Sequence, residues 1–295
     1  MNIETLIQLI IQGVNMGLIY ALAALAVSLI WNATSIFNFS QGDLLTIGGY
    51  VMLTFVLTLA LPYPLAMLIS VLIMGAFGFF LSSWYFYPML EKKMNPQLIL
   101  IGTVALSIVL RNSILLIWGP HAQRFDSPFP EKAIEIGNLF IMPYQIGNIL
   151  IVVVLVLLLQ LFLSKTITGI AMRAVAQKPT VSSLMGVKVE RMVSGTFFLS
   201  TALASVAGTL IAPIVPLIPE MGSLIAIKAF AAVLIGGLGS FSGALVGGLI
   251  VGISEVLFST FVTSTYKDVL IFMFMIIILL FRPGGIFKRE IVEKV

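Results

Sequence analysis

The chain has no cysteine, a single histidine (His121) and few charges: 16 lysines and arginines with 12 aspartates and glutamates, 9% of 295 residues. Each scarcity excludes something. Without cysteine there is no disulfide, no thiolate nucleophile and no cysteine-ligated metal, and one histidine cannot build a zinc site. Soluble domains carry roughly 25% charged residues. A chain that is 60% hydrophobic with so few charges cannot give a globule of this length a polar coat. Its solvent must be mostly lipid. The net charge of +4 does not point to nucleic acid, because the basic residues cluster beside apolar runs, where they set topology. The phosphate-loop pattern G-x-x-x-x-G-K-[ST] occurs nowhere, so the expectation is a non-enzymatic chain without a cofactor, any nucleotide being handled by another chain.

What the sequence does have is a succession of long apolar runs. An α-helix rises 1.5 Å per residue, so about 20 residues cross the hydrocarbon core. That ruler places spans near residues 6–30, 44–61, 64–87, 97–118, 146–164, 192–217 and 267–282. Residues 223–258 are apolar but interrupted by Gly236-Gly237-Leu238-Gly239-Ser240, and read as two short crossings or one re-entrant pair. The expected fold is all-α: a polytopic transmembrane helix bundle of seven to nine spans with broken or re-entrant segments, forming one membrane domain over residues 1–295. The first run follows only Glu4 and is long enough to span, which argues against a signal peptide.

Lysine and arginine in short loops set the direction. Residues 165–191 hold Lys165, Arg173, Lys178, Lys188 and Arg191, and residues 88–96 hold Lys92 and Lys93. The tail carries Arg282, Lys288, Arg289 and Lys294. All three are expected in the cytoplasm, which puts residues 119–145 and the N-terminus outside. The outer segment has Arg124 and Lys132 beside Asp126, Glu131 and Glu135. Within it, residues 133–142 form two β-prone runs around Gly137-Asn138 and predict a hairpin, and His121 follows Gly119-Pro120 as a solvent-facing loop residue.

Three further features bear on function. In residues 165–191, Pro179 at a first helical position, apolar Val181, Leu184 and Met185, and Gly186 as a stop predict a short helix. It either lies on the inner leaflet or docks a cytosolic subunit. Asn38-Phe39-Ser40-Gln41-Gly42-Asp43 concentrates hydrogen-bonding groups between the first two spans, as an ordinary loop or an unwound segment facing a pathway. Glycines 239, 243 and 247, and 248 and 252, are spaced by four, which suits close helix packing. Among charges, Arg111 and Glu255 fall within spans, while Glu220, Lys228 and Asp268 lie near predicted ends and can reach the interface. Glu255 reads as a buried hydrogen-bonded carboxylate or as a proton or cation site.

Gly17-Leu18-Ile19-Tyr20-Ala21-Leu22, Phe37 to Asp43, Gly169 to Ala174 with Met185-Gly186-Val187, Lys228-Ala229-Phe230, Gly236 to Ala244, and Arg282-Pro283-Gly284-Gly285-Ile286-Phe287 occur in that order along nearly the whole chain. Together they resemble the branched-chain amino acid importer permeases, H-type (LivH) subunit, of the ATP-binding-cassette family. The resemblance implies a bacterial or archaeal plasma membrane, a second, LivM-like permease subunit, two cytosolic ATPase subunits and an extracytoplasmic substrate-binding protein. It implies a small amino acid as substrate, with amides and urea served by related permeases. It favours docking for the short helix and so implies an ATPase-coupling set of Arg173, Pro179, Val181, Leu184, Met185 and Gly186. The translocation-pathway candidates are Asn38, Ser40, Gln41 and Asp43 with Gly236, Gly237, Gly239 and Ser240. The alternative is an ion-coupled secondary transporter or channel working without ATPase subunits, for which Asp43 and Glu255 are the candidate sites.

Overall fold

The computed structural model describes residues 3–130, 132–136 and 139–287. In chain order its elements are α1 (Ile3–Thr34), α2 (Gln41–Leu57), α3 (Tyr63–Leu81), a π-helical turn (Ser82–Phe86), α4 (Tyr87–Glu91), α5 (Pro96–Trp118), β1 (Ile134–Ile136), β2 (Leu139–Ile141), α6 (Pro143–Lys165), α7 (Ile167–Gln177), α8 (Pro179–Leu184), α9 (Val189–Ile211), α10 (Met221–Gly236), α11 (Phe241–Phe261) and α12 (Lys267–Phe281). Six helical stretches among the described residues are long and apolar enough to cross a membrane, and α2 and α10 are shorter apolar helices. The result is an all-α polytopic membrane bundle. Residues 221–261 resolve into two helices, with α10 only 16 residues long, about 24 Å and short of a full crossing.

Local chemistry sets the breaks. Pro88 has no N–H, and its ring would strike the carbonyl four residues back. The chain absorbs this with the π turn, where the Tyr87 N–H donates to Ser82 O five residues back. Helix α9 stops at Ile211, before Pro213, earlier than the apolar run to 217 suggests, because proline cannot continue the ladder. The hairpin is antiparallel, pairing Ile134 with Ile141 and Ile136 with Leu139. Its expected turn, Gly137-Asn138, lies outside the described residues, as do Glu131 and the basic residues Lys288, Arg289 and Lys294.

The described residues form two compact units: residues 3–25, 126–130, 132–136, 139–156 and 227–287 in one, and Ala26–Phe125 and Leu157–Ala226 in the other. In the first, the glycines of α11 work on two faces. Gly243 and Gly247 lie against the backbones of Gly236 and Ala232, and Gly248 and Gly252 against Ala21 and Gly17 of α1. In the second, α2, α3 and α9 pack through small residues, with Gly48 on Ser205, Gly78 on Thr201 and Gly208 on Leu45. Backbones this close gain dispersion and leave no room for a side chain. A Cβ on Gly208 would overlap the Leu45 carbonyl oxygen. Gly208→Val is therefore expected to cost at least about 2–3 kcal/mol by overpacking, read as a lower unfolding midpoint in detergent or loss of membrane accumulation.

Candidate functional site: a buried polar segment and a bare surface helix

Residues 38–43 read in sequence as an ordinary loop or an unwound segment, and the structure buries their polar side chains: Asn38 is 4% exposed, Ser40 0%, Gln41 3% and Asp43 1%, while Phe39 is exposed. Helix α2 already starts at Gln41. The turn into it is made by Asn38, whose Oδ1 accepts from the Ser40 N–H (3.1 Å) and the Ser40 hydroxyl (2.7 Å). Gln41 Nε2 donates to Ser200 Oγ at 3.1 Å, and Ser200 donates to the Ala26 carbonyl at 2.7 Å, tying the motif to α9 and α1. Asp43 accepts from the Ser107 hydroxyl and pairs with Arg111 Nε at 3.3 Å. Arg111 also donates to the Ser223 hydroxyl. A carboxylate in an apolar bundle is costly, and the guanidinium and hydroxyl supply the compensation. Two buried atoms of the segment, Asn38 Nδ2 and Gln41 Oε1, have no hydrogen-bond partner. Asn38 borders a void of about 10 Å³, room for about one water.

Gly236 to Ser240 form a compact turn between α10 and α11. Gly237 (φ +106°) and Gly239 (φ +75°) occupy conformations that a side chain strains, and Ser240 Oγ caps α11 by accepting from the Gly243 N–H at 3.0 Å. The closing motif folds back onto it: Ile286 N–H donates to Ile235 O at 2.8 Å and Phe287 N–H to Gly236 O at 2.9 Å. These four candidates and the four of residues 38–43 fall in different units.

A charged cluster that the sequence reading missed lies in the unit that holds this turn. Lys228, read as an interfacial residue, is buried within α10 and pairs with Glu255 at 2.6 Å and Asp268 at 3.1 Å. Glu255 also pairs with Lys267 at 3.1 Å and accepts from the Tyr20 hydroxyl at 2.7 Å. Two cations and two carboxylates balance, with the buried Lys228 and Glu255 paired to the more exposed Asp268 and Lys267, which makes the burial of the inner pair tolerable. Glu255 is thus a hydrogen-bonded, ion-paired carboxylate. The available signal was a lysine eight residues into an apolar helix; its partners 27 and more residues away were not legible.

Residues 165–191 hold two helices where one was expected. The longer, α7, is capped by Thr166 Oγ1, which accepts from the Gly169 N–H at 3.0 Å, and it buries Met172 and Val175 while Arg173 points outward. The shorter, α8, starts at Pro179 and ends in a Schellman motif: Gly186 (φ +83°) donates to Ser183 O at 3.0 Å and Val187 to Ser182 O at 3.1 Å. Its apolar residues are bare, with Val181 52%, Leu184 82% and Met185 80% exposed. Next to it lies a cavity of about 320 Å³ that reaches Pro179 and Glu91.

No acidic, histidine or cysteine cluster able to hold a metal occurs among the described residues. The bundle, its buried polar segment and its uncovered surface helix define a polytopic membrane protein of the transport kind. More particularly, the chain belongs to the permease components of branched-chain amino acid transport systems, whose family pattern matches residues 9–279. It is 32% identical to the high-affinity branched-chain amino acid transport system permease protein BraD of Pseudomonas aeruginosa, over 98% of both chains. With LivH of Escherichia coli it shares 31% identity over 98% of this chain and 97% of the relative. A probable branched-chain amino acid transport permease protein LivH of Methanocaldococcus jannaschii is 33% identical over 90% of this chain and 87% of the relative. No solved structure matches the chain.

Proposed function

We propose that this permease works in an ATP-driven importer of aliphatic amino acids, paired with a second, LivM-like permease subunit, served by an extracytoplasmic binding protein and moved by two cytosolic ATPases that grip α8. The observation that carries this reading is likeness to the branched-chain permeases over 98% of the chain. The bare apolar side of α8 supports the docking contact, since a helix of 6 residues is not stable alone and needs a surface to cover Leu184 and Met185. The buried segment from Asn38 to Asp43 is the proposed wall of the route, its unpaired amide atoms being groups that water or solute can satisfy. Gly236 to Ser240, the other pathway candidates, act as a hinge-like turn between α10 and α11 within their own unit. The ion-coupled alternative is weakened because Asp43 and Glu255 are each engaged by a cation. Copurification of ATPase subunits, with uptake that needs ATP and survives an uncoupler, tests the reading. Uptake abolished by the uncoupler alone refutes it.

The same reading puts residues 165–191 in the cytoplasm and residues 119–145 outside. The chain has no native cysteine, so single reporters have no background. Ser183 and Ala122 are both exposed. Ala122→Cys is expected to react with an impermeant thiol reagent in intact cells, and Ser183→Cys only after permeabilisation. The reverse pattern overturns the orientation.

A further inference from the structure

Resting on the permease reading, we propose that the cavity beside α8 is an exit-side binding site for the zwitterion of a short aliphatic amino acid, and that its occupancy restrains import. Its volume of about 320 Å³ lies in the range that holds small ligands, roughly 300–1,000 Å³. Leu90, Val175, Val189 and Val193 supply apolar walls, and Tyr87 and Glu91 supply a polar pole. The charge pattern around it is uneven. Residues 88–96 and 165–191 carry only two acids, Glu91 and Glu190, and both act electrostatically on Tyr87. Three exposed lysines, Lys92, Lys178 and Lys188, directly adjoin the lining residues Glu91, Pro179 and Val189.

An ammonium group fits the acidic pole, a carboxylate turned to the mouth meets the lysines, and a branched side chain covers the valines. A cation without a carboxylate, or an acid without an amine, satisfies only half of this arrangement. The cavity also shares Thr34 and Leu90 with the void at Asn38, which makes it the neighbour of the proposed route wall. Val175 of α7 and Pro179 of α8 are part of its lining. A ligand held there favours the arrangement of the coupling segment in which the cavity is open over any in which it is squeezed.

The test uses the assembled importer. In proteoliposomes loaded with ATP, internal leucine at millimolar concentration is expected to slow the initial uptake of external leucine several-fold, with isovalerate and isopentylamine weaker. Glu91→Gln should raise the half-inhibiting concentration about tenfold, the loss of one charge-assisted contact, and leave uptake into leucine-free vesicles unchanged. Ala33→Leu, which intrudes into the cavity, should weaken the inhibition. Inhibition that is absent from the unmodified importer, or indifferent to both variants, overturns the proposal. Absence of uptake into leucine-free vesicles refutes the permease reading instead. Equilibrium binding of labelled leucine to the purified complex without its binding protein then decides the site alone: binding weakened by Glu91→Gln supports it, and no binding or unaltered binding overturns it.

Discussion

Leu184→Asp is expected to leave the protein inserted in the membrane at normal levels while the ATPase subunits are lost on purification and uptake falls to background. Leu184 is 82% exposed at the end of α8 and makes no part of the bundle interior, so the substitution costs the isolated fold little. In the proposed complex with the ATPases the same side chain would enter an apolar groove. An unpaired carboxylate buried there costs several kcal/mol, enough to break a modest contact, since each 1.4 kcal/mol is tenfold in affinity. Residual ATP hydrolysis should no longer respond to loaded binding protein. Normal ATPase retention with normal uptake would sink the docking assignment. Leu184→Ile keeps the apolar surface and should retain both.

Asp43→Asn is expected to lower uptake several-fold with the complex still assembled. The carboxylate holds Ser107 and Arg111, and Arg111 extends the chain of contacts to Ser223, so one charge joins α2, α5 and the start of α10. Asparagine keeps the shape but leaves Arg111 without its counter-charge. Loss of such a contact costs about 1–3 kcal/mol, toward the lower figure because the Arg111 side chain is one-third exposed. Arg111→Gln combined with Asp43→Asn should recover part of the loss, because neither charge is then unpaired. Uptake at the unmodified level in Asp43→Asn would remove the segment from the route.

The two variants test features that differed in how far they could be read in advance. Val181, Leu184 and Met185 could be placed on a bare surface helix because Pro179 and Gly186 mark its ends by local chemistry, and a helix six residues long follows from those marks. The preceding helix α7 was not foreseen, since Thr166 caps it in the middle of a run that reads as a polar connection. Asn38 to Asp43 were recognisable as polar residues between spans, yet polarity alone suggests exposure. Their burial depends on Ser200, Thr103, Ser107 and Arg111, which lie on helices separated by 64 or more residues of chain.

Sequence alone determined that this is a multi-span helical membrane protein, where most spans run, that residues 133–142 pair as a hairpin and that its glycines pack backbones together. Those properties follow from the length and period of apolar runs and from residues that constrain their own φ and ψ, which are local quantities. Tertiary structure decided which glycine meets which helix, that Lys228 is a buried member of a four-charge cluster with Glu255, Lys267 and Asp268, and that Asn38, Ser40, Gln41 and Asp43 are interior. The physical reason is that a charge or amide in a lipid-solvated protein is stable only beside its partners. Partners brought together from distant stretches of chain are fixed by packing, which no local pattern encodes.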